Sequence, residues 1–506
     1  MREAALSAST VSSEVPVSPS NPPKRLRHYI DGQWCDSISG REYESLSPWD
    51  GAVIASAAAG DGDDARRAIE AAHNAFPGWA AATPDSREEV FLRAAADLAR
   101  RRSAVVSELA VETGCGQHFA NIQIDFAVSL LRQVANLAHS PSGQILPSDV
   151  PGTHAMATRR PVGVVGAIAP WNASLTLAGR AIAGPLALGN TVVLKPSEES
   201  PSTGGTFWAQ LFEDAGLPAG VLNVVTHAPG EAGGIGDELI TNPLVRRINF
   251  TGSTATGRRL AEAAGRNLKR VVLQLSGQNP LIVLAGTDVQ YAVEAAAYGA
   301  FVHQGQVCMC VRRILVERSV ADEFTERLVA RVRQLPVGDP RDPNTVVGPL
   351  ISRWALSLIT RRVEEAVDLG ARVLAGGVAR PPCYPPTILT DVPPEAELSL
   401  DETFGPVVII DIVDDAADAI RRTNESRFGL CAAVLAATVE EGMVVARSLD
   451  AGIIHVNDQT VNDEPQMPFG GMKDSGWGRF GVGFAVEEFC DLQWITSRSE
   501  PRTFPF

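Results

Sequence analysis

The residues best suited to covalent chemistry lie in FVHQGQVCMCVRR, residues 301–313, around Cys308. Gly305, Gln306 and Val307 precede the thiol, and apolar residues lie further out, which suits a cysteine presented at a turn or a loop-to-helix junction. Ionised there, it is a nucleophile. The competing reading is a buried structural cysteine, the commoner fate of a free Cys taken alone. Three other stretches bear on the choice: Pro170-Trp171-Asn172, Lys195-Pro196-Ser197-Glu198 and Glu402-Thr403-Phe404-Gly405-Pro406. Cys308 and Cys310 form a C-x-C pair with no further Cys or His close in sequence, so no metal is expected.

These stretches must be positioned by the elements around them. At 506 residues, two or three domains are expected. The 45% hydrophobic and 20% charged content fits a globular chain without a membrane span. A net charge of −15 argues against nonspecific nucleic-acid binding. Seven scattered cysteines, an odd number, point to a reducing cytoplasm and not to a disulfide scaffold. Residues 1–24 are rich in Ser, Pro and Val and read as a flexible tail, with no secretory signal expected. RHYIDGQW (27–34) reads as strand and turn. Apolar spacing predicts helices over 63–76, stopped by Pro77-Gly78, from Ser86 to about Arg101, and over 125–138, all as packing elements without chemistry. Residues 143–160 read as a long hairpin or an exposed loop pair.

Val162 to Ala169 is an almost wholly apolar run, as in a strand buried on both faces of a parallel sheet, and Pro170-Trp171-Asn172 follows its end. Strands over 191–194, 221–225 and 246–250 alternate with helices to about Leu188 and over 202–215, which makes a doubly wound dinucleotide-binding domain. No G-x-G-x-x-G fingerprint is present. Instead Phe250-Thr251-Gly252-Ser253 opens a helix after a strand, where backbone N–H groups can meet a pyrophosphate. A second αβ set is expected from Val271 onward, with strands over 280–284 and 313–317, helices over 320–334 and 353–369, a strand after Glu402, a polar loop over 455–471 and a terminal strand over 487–497.

Taken in order, these motifs resemble the aldehyde dehydrogenase superfamily, from about His28 to the C-terminus. HQGQVCM, the NDQTVNDEPQMPFGG loop, LQWIT and the final FPF look most like bacterial aromatic aldehyde dehydrogenases of the vanillin, benzaldehyde and salicylaldehyde type. The resemblance implies an α/β fold: a tail over 1–24, a Rossmann-like NAD-binding domain over 25–142 and 161–273, an α/β catalytic domain over 274–484, and a small β oligomerisation element over 143–160 and 485–506. It implies Cys308 as nucleophile, with the Asn172 amide and the Cys308 backbone N–H as oxyanion donors. It implies Lys195, Ser197 and Glu198 at the adenosine ribose of NAD, a carboxylate there disfavouring a 2′-phosphate. Gly252 and Ser253 fall at the pyrophosphate, Glu402 and Phe404 at the nicotinamide ribose, and Ile168 and Trp171 beside the adenosine. A homodimer or homotetramer is implied as well.

One position departs. Where the family has its catalytic glutamate, in a Leu-Glu-Leu-Gly-Gly-Lys context, this chain reads Leu273-Gln274-Leu275-Ser276-Gly277-Gln278. Ser276 and Gln278 differ too, which points to natural divergence. A carboxylate can take a proton from water and an amide cannot, so hydrolysis of an acyl-enzyme is expected to slow by ~100- to 10,000-fold. Glu402, then Asp463 or Glu464, are candidate stand-ins. On a helix starting at Pro170-Trp171-Asn172, Ala173, Leu177 and Arg180 share one face and are candidates for lining a substrate tunnel. Arg180 there meets a phenol oxygen or carboxylate, or is an ordinary salt-bridging residue. His303 reads as structural. The expected activity is NAD-dependent oxidation of an aromatic aldehyde. Acyl transfer to CoA or an amine, and a catalytically weak binding homologue, stand as alternatives.

Overall fold

The computed structural model describes residues 23–140 and 143–506. The tail expected over 1–24 therefore lies outside the described residues except for Pro23 and Lys24, and Lys24 opens a short strand, Lys24–Leu26.

Two large sheets carry the fold. The first has eight strands, ordered Gly476–Trp477, Arg270–Gln274, Val245–Thr251, Val164–Ile168, Thr191–Lys195, Leu222–Val224, His28–Ile30 and Gln33–Cys35. Its five central strands run parallel. Every residue of Val164–Ile168 and Thr191–Lys195 is buried, because helices cover both faces. The second sheet has seven strands, ordered Arg372–Ala375, Thr387–Thr390, Val407–Val413, Arg313–Glu317, Pro280–Val283, Cys431–Leu435 and Ile453–Val456. A third, antiparallel sheet pairs Gly143–Leu146 with Thr153–Pro161 and that strand with Cys490–Arg498.

Several local readings change. The first helix, Gly62–Ala80, runs through Pro77. Proline removes one helical bond, but this one lies in the last turn, where the buried Trp79 indole donates to Leu186 O at 2.9 Å and docks the helix end on its neighbour. The second helix starts at Pro84, with Thr83 as cap, because Pro is favoured in the first turn. A separate helix, Arg102–Thr113, was not expected, and the next begins at Gln117, eight residues before Asp125. The strand at Val271 does not open the second set: Arg270–Gln274 pairs with Val245–Thr251 in the first sheet, and the second sheet begins at Pro280. Gly476–Trp477, expected within the catalytic domain, pairs with Leu273 and Gln274 at the edge of the first sheet. Residues 485–489 are helical, so the last strand starts at Cys490.

The carboxyl ends of the first sheet's parallel strands and the amino ends of the second sheet's strands thus lead toward one region. Asn172, Thr251 and Gln274 come from the first sheet, Glu402 precedes a strand of the second, and Cys308 precedes Arg313–Glu317.

Candidate active site

The cysteine loop leaves the helix Val289–Phe301 through three consecutive residues in the left-handed region: His303 at φ 48°, Gln304 at 43° and Gly305 at 69°. Two non-glycine residues there store strain of order 1–3 kcal/mol each, which the surroundings must hold. They do so with side chains. Gln304 Nε2 donates to Gly114 O (3.1 Å) and Pro349 O (2.9 Å), and its Oε1 accepts from Gly348 N (3.2 Å). Gln306 Oε1 accepts from Ile351 N at 3.0 Å. Arg312 donates to Gly405 O at 2.9 Å, to Val307 O at 3.1 Å and to Gly305 O. At Gly305 any Cβ would sit 2.2 Å from Gly405 O, so only glycine fits. His303 stacks on Phe119 (4.8 Å, 15°), and burial pushes it down to about 4, keeping it neutral. That fits a structural part.

Cys308 stands where two cavities meet, with Asn172 lining both. Burial, reinforced by the Glu402 carboxylate, pushes the thiol up to about 12, so the resting form is the thiol. Asn172 is 4% exposed and its Nδ2 has no partner. A buried donor left free beside a nucleophile is the arrangement an oxyanion needs.

The first cavity, about 400 Å³, runs between the helices Gln117–Leu137 and Ser174–Ala187 and the loop after Ile453–Val456. Ala173, Leu177 and Arg180 all line it. So do Phe119, Phe126 and Phe469, to which no chemistry was assigned. The first two sit seven apart on the helix Gln117–Leu137, of which the sequence reading covered only 125–138, and the spacing marks one face but not what it faces. Arg180 donates to Asp463 Oδ2 and lies over the rings of Phe126 (4.8 Å) and Phe469 (4.1 Å). Asp463, a candidate base, is thus held in an ion pair. Glu464 also lines this cavity and accepts from Gln466 Nε2 at 2.6 Å.

The second cavity, about 440 Å³, is lined by Trp171, Gly252, Ser253, Gln274, Glu402 and Phe404 among others. Ser253 caps the helix Thr254–Arg266, its Oγ accepting from Thr256 N at 3.3 Å, so the positive end of that helix opens here. A Cβ on Gly252 would lie 2.5 Å from the Phe250 ring. Gln274 donates through Nε2 to Leu275 O at 3.1 Å, while its buried Oε1 has no partner. Glu402 Oε1 accepts from Gly277 N at 3.3 Å, and burial raises its pKa. Trp171 packs edge-on against Phe404 at 5.6 Å and 88° and lines this cavity together with Cys308. Ile168 joins the core with Val193 and Phe250 and lines neither cavity.

Lys195, Ser197 and Glu198 form their own cluster. Lys195 Nζ donates to His227 Nε2 at 2.7 Å, and Ser197 Oγ to Glu198 Oε2 at 3.1 Å. Burial brings Lys195 down to about 8, and burial with the Lys195 charge brings His227 down to about 4. His227 was missed, and only its place two residues after a strand end hinted at it. Among the described residues one group could hold a metal ion, Asp85, Glu88 and His139, and neither Cys308 nor Cys310 belongs to it.

Residues 34–495 match the aldehyde dehydrogenase family. The chain is 43% identical over 476 residues to a vanillin dehydrogenase of Pseudomonas fluorescens, covering 94% of this chain and 98% of that one. A salicylaldehyde dehydrogenase from Pseudomonas putida G7, solved with salicylaldehyde, superposes with a TM-score of 0.93 at 37% identity, over 96% of this chain and 100% of that one. A betaine aldehyde dehydrogenase from Staphylococcus aureus, solved with NAD+, gives 0.91 at 31% identity, over 94% and 95%. Likeness of that extent, around a cysteine set between two cavities, leaves one assignment: the chain belongs to the aldehyde dehydrogenase family, whose members are oxidoreductases acting on aldehydes.

Proposed function

We propose that this protein oxidises an aromatic aldehyde to the carboxylic acid with NAD as hydride acceptor, and that hydrolysis of its acyl-enzyme is slow. The observation that carries the reading is Cys308 at the junction of two cavities, one walled by Phe119, Phe126 and Phe469. The aromatic preference draws further support from the vanillin and salicylaldehyde dehydrogenases that the chain resembles.

The second cavity suits a dinucleotide: the N-terminus of the helix Thr254–Arg266 opens into it, where a pyrophosphate would be favoured. Gly252 and Ser253 would hold the pyrophosphate. Lys195, Ser197 and Glu198 would hold the adenosine ribose, and Glu402 and Phe404 the nicotinamide ribose. NAD, when bound, accepts the hydride that leaves the aldehyde carbon.

The chain's own groups do the rest. The Cys308 thiol must lose its proton to attack, and Glu402, whose own pKa is raised, is the carboxylate lining the same cavity that can take it. Sulfur bonds to the carbonyl carbon, and the oxyanion meets the free Asn172 amide. Collapse of the thiohemiacetal leaves a thioester on Cys308. Gln274, with its acceptor oxygen free, can orient a water but cannot take its proton. That same feature favours a second reading, in which an amine or CoA, not water, receives the acyl group.

The seven cysteines are all free, which supports a cytoplasmic location. The strand Cys490–Arg498 exposes Leu492 and Trp494 on the three-stranded sheet, which supports self-association there.

The test is rapid mixing of the protein with NAD and benzaldehyde-type substrates, with mass spectrometry of the intact chain. A burst of about one NADH per site, a slow phase and an acyl adduct on Cys308 are expected. CoA or an amine that speeds the slow phase selects the second reading. No NADH with any aromatic aldehyde overturns the proposal.

A further inference from the structure

One wall of the second cavity is a single helix, Arg353–Asp368. Ser352 caps it, its Oγ accepting from Ala355 N at 3.2 Å. Leu356, Ile359, Val363 and Ala366 are buried and make its core side. Trp354, Leu358 and Arg362 recur every fourth residue, so they share a different face, and all three line the cavity.

The inner end of that face is pinned. Arg362 donates to Glu402 O at 2.7 Å and to Glu397 Oε2 at 3.0 Å, with Asp401 Oδ2 at 3.5 Å. Arg362 is thus fixed beside the residue proposed to hold the nicotinamide ribose. Trp354 lies eight residues earlier, about 12 Å along the helix axis, in the first turn.

Trp354 is 73% exposed. Its ring takes no part in the core side of the helix, and among the described residues no aromatic ring stacks on it and no guanidinium lies over it. The cationic side chains on the same cavity have carboxylate partners: Arg258 pairs with Asp474, and Arg427 with Asp401. Leaving an indole in water forgoes the stabilisation that burying it gives. Its flat apolar face and single N–H suit a ligand that offers a planar ring and hydroxyls side by side, as a nicotinamide riboside does.

We propose, resting on the NAD-dependent oxidation argued above, that Trp354 is a cofactor-binding residue. Its indole folds onto the nicotinamide half of the bound dinucleotide and covers it from solvent.

The test binds NAD+, NADH, nicotinamide mononucleotide and AMP to the full chain by calorimetry, and follows NADH also by energy transfer from tryptophan. In Trp354→Ala the dissociation constants for NAD+, NADH and the mononucleotide should rise about tenfold, and that for AMP should stay as it is. Trp354→Phe keeps a ring and should bind nearly as tightly as the wild type, while energy transfer drops and Trp171, on the same cavity, supplies a remainder. Because the side chain stands outside the core, both variants should melt with the wild type. A merely structural role would weaken AMP along with the rest. Unchanged NADH affinity in Trp354→Ala, or an equal loss for AMP, overturns the proposal. Loss of self-association in Trp354→Ala with NADH affinity intact overturns it too, and gives the ring to a contact between copies of the chain. Should the wild-type chain bind neither NAD+ nor NADH, the cofactor reading fails, and the role of Trp354 with it.

Discussion

The side-chain amide of Asn279 donates to the carbonyls of both Cys308 and Cys310, at 2.7 and 2.9 Å, and its oxygen accepts from Cys431 N at 3.2 Å. One buried side chain thereby ties the nucleophile's loop to a neighbouring strand of the second sheet. Asn279 itself sits at φ 43°, a left-handed conformation that Asn tolerates better than most residues. Asn279→Ala should cost about 3 kcal/mol, from unpaired carbonyls and backbone strain together. It should lower the thermal midpoint and expose the wholly buried Cys310 to alkylation. An unchanged midpoint with Cys310 still protected would mean that the loop holds itself.

The pH response of Cys308 follows from its surroundings. With the thiol pushed up to about 12, the thiolate fraction should rise about tenfold per pH unit between 7 and 9, without the plateau of an ordinary cysteine. Iodoacetamide labelling of the NAD-free protein, read by peptide mass, reports it. Glu402→Gln removes a negative neighbour, which lowers the thiol pKa and should speed labelling at fixed pH. The same variant should slow acylation, because the group proposed to take the thiol proton is gone. Slower labelling in Glu402→Gln would reverse the electrostatic argument.

Gln274→Glu offers a direct reversal of the departure. The new carboxylate would stand at the carboxyl end of its strand, in the cavity that Cys308 lines. Steady turnover should increase by ~100-fold or more, with loss of the burst and of the acyl adduct. A burst that persists unchanged would show that hydrolysis is limited elsewhere.

The parallel strands were legible because burial on both faces leaves continuous apolar runs, as in Val164–Ile168, and the turns at their ends could be read with them. Ala173, Leu177 and Arg180 were legible as one face because helical spacing is local. What Arg180 meets was not, since Asp463 lies 283 residues away along the chain. The packing of Trp171 was not legible for the same reason: it meets Phe404, which belongs to a different segment. Phe119 and Phe126 carry a spacing that fits a core as well as a cavity wall. At Pro77 and Ser86 the local stop and start rules gave way to the docking of Trp79 and to the Thr83 cap.

The anchoring of the 303–312 loop bears on how this enzyme can be divided. Its side chains are held by Gly114, Gly348, Pro349, Ile351 and Gly405, so segments before and after it, far apart in the chain, must be in place at once. Neither half of the chain carries a finished nucleophile. A split protein, or a domain transplanted into a related scaffold, would inherit the cysteine without the geometry that gives it a task, and thiol reactivity would serve as the readout of successful reassembly.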